Sequence, residues 1–189
     1  MGIESSLYTV EAIILLDNAG KRLFAKYYKA PHEDAVEELV ESKDSQLQFE
    51  KILFSKTYKQ NSDVLLADNH TIVYKEFTES ILYVVGSLSE NEVLLYNVLQ
   101  GLTGAFEIVL NEVDKRAIQE NYDLVALAID ETVDDGVVLE TDPSAIAARV
   151  TSAPSEDATE IKIDLSERGL MNVFNFAKKN ITERLQQGF

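Results

Sequence analysis

The two histidines, His32 and His70, are the side chains best suited to acid–base chemistry or metal binding. Each lies in a sequence typical of a connection, because His32 follows Pro31 and His70 closes the turn-forming run 68–70. A histidine in a connection is more often a surface residue than a catalytic base or a metal ligand, so we assign neither histidine a catalytic or metal-binding role. The absence of cysteine excludes thiolate nucleophiles, disulfides and cysteine-bound metal centres.

An acidic run and two helical glycines are the remaining motifs that suggest ligand binding. Residues 130–136 invite a calcium-loop interpretation, but Val133 falls at a position that requires an oxygen ligand. A helix that ends at a turn explains this run better. Gly101 and Gly104 lack the strand-turn-helix setting of a phosphate loop, so we predict that they allow close packing. The sequence therefore predicts no catalytic residue, no cofactor site and no metal site.

Length, composition and net charge exclude further classes of function. The chain has 189 residues with 46% hydrophobic residues and a formal net charge of −16, as expected for one folded, acidic domain. This charge repels phosphate backbones and anionic lipid, so we predict no nucleic-acid partner and only indirect membrane contact. We find neither an apolar run of roughly 20 residues nor a signal-peptide pattern, which favours a cytoplasmic location.

Hydrophobic periodicity predicts an α+β fold with the element order ββαβββαα. Alternating and continuously apolar runs predict five strands of a mainly antiparallel sheet, at residues 7–16, 22–28, 64–67, 71–77 and 81–87. One helix is expected at 46–57, and the longest helix should begin at the capping-box spacing of Ser89 and Glu92. A further helix is predicted at 122–133, and Asp142 followed by Pro143 should start a short one.

The domain organisation follows from a change in composition after residue 150. We predict a folded domain at 1–150, a flexible acidic linker at 151–165 and an amphipathic helix at 166–189. The apolar face of this last helix includes Leu170, Phe174 and Ile181. Its spacing predicts a buried face but not what covers it, so folding back on the domain and docking on a partner remain alternatives.

Long ordered stretches of the sequence, at residues 6–13, 16–28, 71–75, 82–87 and 130–143, resemble the zeta-subunit family of the COPI coat. These stretches include Asp17-Asn18-Ala19-Gly20 in the first turn and Asp134-Asp135-Gly136 near the end of the domain. The resemblance covers about residues 6–150. It implies a longin-like fold, similar to that of the sigma chains of clathrin adaptors.

The resemblance also implies partners and a location. Members of this family are scaffold subunits that pair directly with the trunk of the coatomer gamma subunit. Other coatomer subunits and an Arf-family GTPase are implied as partners through the assembled coat. The implied work is Golgi-to-ER retrograde and intra-Golgi vesicle transport, on the cytosolic face of Golgi membranes and COPI-coated vesicles, without enzymatic activity or a cofactor.

Two sets of residues are candidates for the partner interface. Phe24, Tyr27 and Tyr28 lie in the second predicted strand, where alternation should direct at least one ring out of the core. The alternative is that these rings complete the core of the sheet itself. Leu170, Phe174 and Ile181 of the last helix form the second set.

Recognition of sorting signals is the competing function, because sigma chains help to bind acidic dileucine signals. An ungapped alignment of the first hairpin places Leu23 where sigma chains carry a basic residue near that pocket. A leucine cannot pair with a carboxylate or phosphate of a cargo protein. We therefore favour a scaffold subunit over a small chain that binds cargo signals.

Overall fold

The computed structural model of the chain describes residues 7–29, 42–60 and 62–152, and these residues form a five-stranded sheet with helices on both faces. The sheet strands are β1 Ala12–Asp17, β2 Arg22–Tyr27, β3 Val64–Ala67, β4 His70–Glu76 and β5 Ser80–Ser87. The helices are α1 Lys43–Thr57, α2 Glu92–Leu110, α3 Lys115–Glu120, α4 Tyr122–Thr132 and α5 Pro143–Thr151. A short hairpin of β6 Val133–Asp134 and β7 Val137–Val138 joins α4 to α5.

The sheet is antiparallel throughout, with the strand order β2-β1-β5-β4-β3. Every residue of β1 is buried, which confirms that its continuously apolar sequence belongs inside the sheet. The turn after β1 depends on Gly20, whose φ of +75° lies in the left-handed region. The Asp17 carboxylate completes this turn by accepting hydrogen bonds from the Ala19 and Lys21 amides at 2.9 and 2.8 Å.

Two apolar clusters lie on opposite faces of the sheet. On one face α1 contributes Phe49 and Leu53, which pack on Ile14 of β1 and Tyr83 of β5. On the other face the remaining four helices cover Ile13, Leu15 and their neighbours, with α2 at the centre. The described residues up to Thr151 belong to one compact unit. The predicted α+β, longin-like arrangement is confirmed in its five-stranded sheet and flanking helices.

The start of α2 differs from the capping-box prediction. The helix begins two residues later than a cap at Ser89 would place it, because the Asn91 side chain accepts the Val93 amide at 2.9 Å and is the N-cap. Ser89 instead hydrogen-bonds to the Ser87 hydroxyl.

The predicted close-packing role of Gly101 is confirmed, since an added Cβ would lie 2.6 Å from the Thr141 carbonyl oxygen.

His70 corrects a second sequence prediction, because it is buried and not a surface turn residue. His70 is the first residue of β4 and only 9% exposed, and its Nδ1 lies 2.6 Å from the Glu11 carboxylate. The turn-forming composition of residues 68–70 suggested that His70 belongs to the turn. In the structure only Asp68 and Asn69 have the positive φ of the tight turn, and His70 already belongs to the strand. His32, the predicted linker at 151–165 beyond Ser152, and the predicted helix at 166–189 lie outside the described residues.

By length and composition, α2 is apolar enough to span a membrane, although the sequence showed no continuous apolar run. Its residues Asn97, Gln100 and Thr103 are polar but uncharged, so the average hydropathy stays high. Half of the most apolar stretch is buried inside the domain. This burial is what a helix at the centre of a core requires.

Candidate partner interface

Strand β2 lies at one edge of the sheet and pairs with β1 on one side only, among the residues that the structure describes. The Tyr28 amide donates to the Glu11 carbonyl at 2.8 Å. Backbone groups alternate in direction along an antiparallel pair, so Ala25 and Tyr27 direct their N–H and C=O groups away from β1. This edge can pair with another chain.

Phe24 and Tyr28, two of the three candidate interface aromatics of β2, are buried in the domain. They are 7% and 3% exposed. The Phe24 ring lies 5.5 Å from the ring of Tyr122, and the Tyr28 hydroxyl donates to the Val133 carbonyl at 3.4 Å. Burial raises the pKa of Tyr28, and the nearby Asp130 and Asp134 carboxylates raise it further. Both rings therefore complete the domain's own core.

Regular pairing places Phe24 on the same face of the sheet as Leu15, and a shift in the β1–β2 register follows directly. Leu15 pairs with Phe24 while Leu16 pairs with Arg22, so Leu23 is the extra residue of a β-bulge. The bulge places Leu23 on the same side as Phe24, toward the face that α4 covers, and Leu23 is only partly buried there. Neither the bulge nor the covering helices were visible in the alternation of the sequence.

Tyr27 points to the opposite face and is half-buried against α1. Its hydroxyl donates to the Glu50 carboxylate at 3.0 Å. Arg22 holds the same carboxylate through two nitrogens, Nη2 at 2.6 Å and Nε at 3.0 Å. Burial raises the pKa of Tyr27, and the charge of Glu50 raises it further. This network ties β2 to α1, so Tyr27 contributes only part of its ring to the molecular surface.

The second set of predicted interface residues, Leu170, Phe174 and Ile181, lies outside the described part of the chain. The structure therefore does not test them. Their assignment stays a prediction.

An exposed apolar surface that the sequence reasoning missed lies on α2. Val93 and Tyr96 are 61% and 39% exposed near the start of the helix. Residues 93–106 contain no charged side chain, whereas the outer face of a surface helix is normally charged or polar. This absence of charge was the available sequence signal, and it favours cover by another protein.

Strand β3 carries two further exposed apolar side chains on the face of the sheet that α2 covers. Its Val64 and Leu66 are exposed, while Leu65 and Ala67 alternate with them and pack toward α1. Val64 pairs with Val73, which belongs to the cluster under α2. We call Val64, Leu66, Val93 and Tyr96 the α2–β3 surface.

Tyr96 shares a side of its helix with a residue that lines a cavity. Thr103, seven residues further along, lines a cavity of about 460 Å³ together with Lys75 of β4 and Thr141. Positions seven apart lie on nearly the same side of an α-helix. Position 96 therefore lies on the side of α2 that carries Thr103.

A second cavity, of about 670 Å³, lies between the β4–β5 turn and the C-terminal end of α2. Its lining is strongly acidic, with the carboxylates Glu76, Glu79, Glu107, Glu112 and Asp114. None of the described residues that line it is basic. Such a cavity repels an acidic peptide.

The arrangement offers little for catalysis or metal binding. In the described ranges, no three histidine or carboxylate side chains lie close enough together to hold a metal ion. The His70 ring is paired with the Glu11 carboxylate. The Asp17 carboxylate accepts hydrogen bonds within its own turn and from the Lys115 ammonium at 2.8 Å. The buried charged groups of this domain serve its structure.

Comparison with known proteins identifies the family of the chain. Residues 9–157 match the family model described as clathrin adaptor complex small chain. The chain is similar to coatomer subunit zeta of Saccharomyces cerevisiae, with 45% identity over 186 residues that cover 97% of both chains. It is 41% identical to the human coatomer subunit zeta-1 over 180 residues, covering 95% of this chain and 94% of the relative.

A solved-structure comparison supports the fold. The chain matches a chain of a homology model of the full-length AP-3 complex in a stretched open conformation, with a TM-score of 0.56 and 15% identity. The match covers 75% of this chain and 90% of that one. The family predicted from the sequence is confirmed. The chain belongs to the clathrin adaptor small-chain family, within its coatomer zeta group.

Proposed function

We propose that this chain is a non-catalytic scaffold subunit of a COPI-type coat and pairs directly with the trunk of a gamma subunit. The observation that carries the proposal is the match to coatomer zeta subunits along nearly the whole length of both chains. The absence of charge on the outer side of α2 supports it physically, because burying such a surface in a complex stabilises the complex.

The α2–β3 surface is the proposed site of contact with the gamma trunk. It combines a helix face with an edge strand, and both are apolar and exposed. Tyr96 supplies an aromatic side chain, the residue class that most often anchors a protein interface. The free edge of β2 and the residues Leu170, Phe174 and Ile181 are proposed as secondary contacts.

A scaffold role without enzymatic activity fits the described residues. Their one histidine is paired with a buried carboxylate, and no hydrogen bond joins a threonine hydroxyl of the two cavity linings to a basic or acidic side chain among the described residues. Incubation of the purified chain with candidate phosphoester, ester and peptide substrates should therefore give no turnover. Turnover that an active-site substitution abolishes would contradict this part of the proposal.

The proposed location is the cytosolic face of Golgi membranes and COPI vesicles, where the chain would serve Golgi-to-ER and intra-Golgi transport. With a net charge of −16, the chain is repelled by an anionic leaflet. Its attachment would therefore depend on the other coatomer subunits and on an Arf-family GTPase that recruits the coat.

The alternative is direct recognition of sorting signals, as in a clathrin-type adaptor small chain. Two observations oppose it: Leu23 supplies no positive charge, and the 670 Å³ cavity carries five carboxylates. A signal that contains acidic residues would meet repulsion there. Peptides with an acidic dileucine sequence should therefore show no saturable binding to the isolated chain.

Co-expression with the gamma trunk followed by size-exclusion chromatography tests the main proposal. We expect Val93→Glu with Tyr96→Glu to prevent co-elution, because two charges would be buried in the interface. Leu139→Glu is the control, since Leu139 is 56% exposed and belongs to neither α2 nor β3. A chain that ends at Thr151 should still co-elute if the domain carries the main contact.

Each result separates the proposed contacts. If only the full-length chain co-elutes, the segment 152–189 carries the interface and the α2–β3 assignment is wrong. If the double variant co-elutes as well as the control, the gamma trunk binds elsewhere on the domain. If the unmodified chain does not co-elute, the proposed pairing itself fails.

A further inference from the structure

Strand β3 lies at the other edge of the sheet, and among the described residues it pairs with β4 alone. The Tyr74 amide donates to the Asp63 carbonyl at 3.1 Å, which shows where the hydrogen-bonded pairs of this ladder fall. Such pairs recur at every second residue of an antiparallel ladder. The N–H and C=O groups of Val64 and Leu66 therefore point away from β4.

Three of these four backbone groups have no partner in the part of the chain that the structure describes. The Val64 carbonyl accepts a hydrogen bond from the Ser62 hydroxyl at 2.9 Å. The Val64 amide and both backbone groups of Leu66 take part in no hydrogen bond with another described residue. Free groups of this kind are a template on which an extended segment can pair.

The sequence of β3 lacks the features that normally prevent such pairing. Residues 64–67 are Val-Leu-Leu-Ala, with no charged side chain, no proline and no glycine. The side chains of Val64 and Leu66 are 41% and 64% exposed, so an added segment also covers apolar area. A strand of four residues offers few hydrogen bonds, which suits one part of a larger contact.

An aspartate lies directly before the strand and another directly after it. Asp63 and Asp68 are both exposed, and neither forms an ion pair with a described residue. They are five positions apart, which is roughly 17 Å in an extended chain. A segment that pairs with β3 therefore meets a negative charge at each end of four apolar positions, and basic residues at those ends complement it.

We propose that the gamma trunk adds an extended segment to the edge of β3, with mainly apolar residues between two basic ones. This inference rests on the proposed gamma contact and specifies how that contact forms. The main chain of the segment pairs with the outward backbone groups of Val64 and Leu66. Its basic side chains pair with Asp63 and Asp68, and its apolar side chains cover the β3 part of the α2–β3 surface.

A second copy of this chain fits the same edge poorly. An antiparallel pairing that matches Val64 of one copy with Leu66 of the other brings each Asp63 within one position of the other copy's Asp68. Like charges placed so close together are destabilising. The formal net charge of −16 adds further repulsion between copies, whereas a basic segment is attracted.

The main test compares Leu66→Pro with Leu66→Ala in the full-length chain. Both variants lose the leucine side chain, but only proline also removes the outward N–H. Proline is tolerated in an edge strand where its missing N–H would face away from the sheet. We expect Leu66→Pro to bind the gamma trunk about tenfold more weakly than Leu66→Ala in isothermal titration calorimetry. Denaturant unfolding checks that both variants fold.

A second pair of variants tests the flanking charges. Asp63→Asn with Asp68→Asn should weaken binding about fivefold and reduce its dependence on salt. The matched control, Glu79→Gln with Glu112→Gln, removes the same charge from exposed positions outside α2 and β3, and it should change binding by less than about twofold.

Hydrogen exchange of the unmodified chain gives a readout that does not depend on the proline variant. In the free chain the Val64 and Leu66 amides should exchange faster than the Leu65 amide, which faces β4. Both should exchange at least tenfold more slowly in the complex with the gamma trunk.

The outcomes separate this inference from the gamma pairing itself. Equal binding by the two folded Leu66 variants, or fast exchange of both outward amides in the complex, would overturn the added segment and leave the gamma pairing intact. No binding of the trunk by the unmodified chain would overturn both. Self-association of the unmodified chain that Leu66→Pro abolishes would overturn the proposal in favour of a second copy.

Discussion

The Nδ1 atom of His70 lies 2.6 Å from the Oε2 atom of Glu11, and this pair joins the start of β4 to the chain just before β1. Strand β5 lies between them. The side chains of Glu11 and His70 are 9% and 11% exposed. The Phe49 ring of α1 meets the imidazole edge-on at 5.2 Å, so the pair also lies under the helix. A polar link therefore spans three strands on the face of the sheet that α1 covers.

Removing one partner of this pair should destabilise the domain. Glu11→Gln and His70→Leu each leave a buried polar group with a weakened or missing partner, which costs about 2–3 kcal/mol. Denaturant unfolding at neutral pH measures this loss. Exposed Glu79→Gln is the control and should change stability by less than about 0.5 kcal/mol.

The double variant sharpens this test. Glu11→Leu with His70→Leu removes both polar groups, so its cost should be clearly smaller than the sum of the two single changes. Additive costs would show that the two side chains do not depend on one another, contrary to the observed contact.

Asp17 should make the domain sensitive to acid. Burial opposes its charge, but hydrogen bonds from the Lys115 ammonium and from the Lys21 and Ala19 amides outweigh burial and hold the pKa of Asp17 below its ordinary value. A lowered pKa in the folded state gives stability that is present above the unfolded pKa of about 3.9 and lost as the pH falls through the folded value.

The corresponding variant is Asp17→Asn, which retains the shape but not the charge. We expect it to lose about 1–2 kcal/mol at neutral pH. Its difference from the unmodified protein should shrink as the pH falls below about 4. Unfolding curves across this range measure the change, with exposed Asp63→Asn as the control. A difference that stays constant with pH would show that the charge of Asp17 contributes nothing.

Three tyrosines should make the domain sensitive to alkali. Burial raises the pKa values of Tyr27, Tyr28 and Tyr83, and the Tyr83 hydroxyl shares a hydrogen bond with Thr57 at 2.8 Å. The unfolded chain loses these protons near pH 10, while the folded chain keeps them. Stability is therefore complete below about pH 10 and falls as the pH rises.

Tyrosinate absorbance tests this prediction. At least three of the eight tyrosines should ionise only as the protein unfolds, so absorbance and circular dichroism should change together for that part of the signal. Tyr83→Phe should reduce the slope of stability against pH above pH 10. Ionisation of all tyrosines while the fold stays intact would contradict the burial of these hydroxyls.

The sheet was predictable because its signals are local. Each strand alternates or is continuously apolar within a few residues, and Asp142 with Pro143 starts α5 as expected, with the Asp142 carboxylate accepting the Ala145 amide at 2.8 Å. The short α3 was missed because six residues, Lys115–Glu120, are too few to establish a helical period.

The burial of the candidate interface residues was harder to predict, because the residues that cover them are distant in the sequence. Phe24 and Tyr28 are covered by residues near 122 and 133, about a hundred positions away. The partner of His70 is 59 positions away. A sequence pattern predicts that an aromatic or polar residue needs a partner, but not which element supplies it. The uncharged stretch at 93–106 could have been found, because it requires only a count of charges.

Gly101 gives the sharpest test of the packing around α2. A Cβ at this position would lie 2.6 Å from the Thr141 carbonyl oxygen and 3.1 Å from the Thr141 Cα. Backbone atoms cannot move aside as a flexible side chain can, so the segment leading into α5 must shift. The helix itself favours alanine over glycine by about 1 kcal/mol, which offsets part of this cost.

We expect Gly101→Ala to destabilise the domain by about 1–3 kcal/mol despite its better helix propensity. Thermal or denaturant unfolding measures the loss. Gln100→Ala, at the neighbouring exposed position, is the control and should be neutral or slightly stabilising. A stabilised Gly101→Ala variant would mean that α2 and the residue before Asp142 lie further apart than the structure places them.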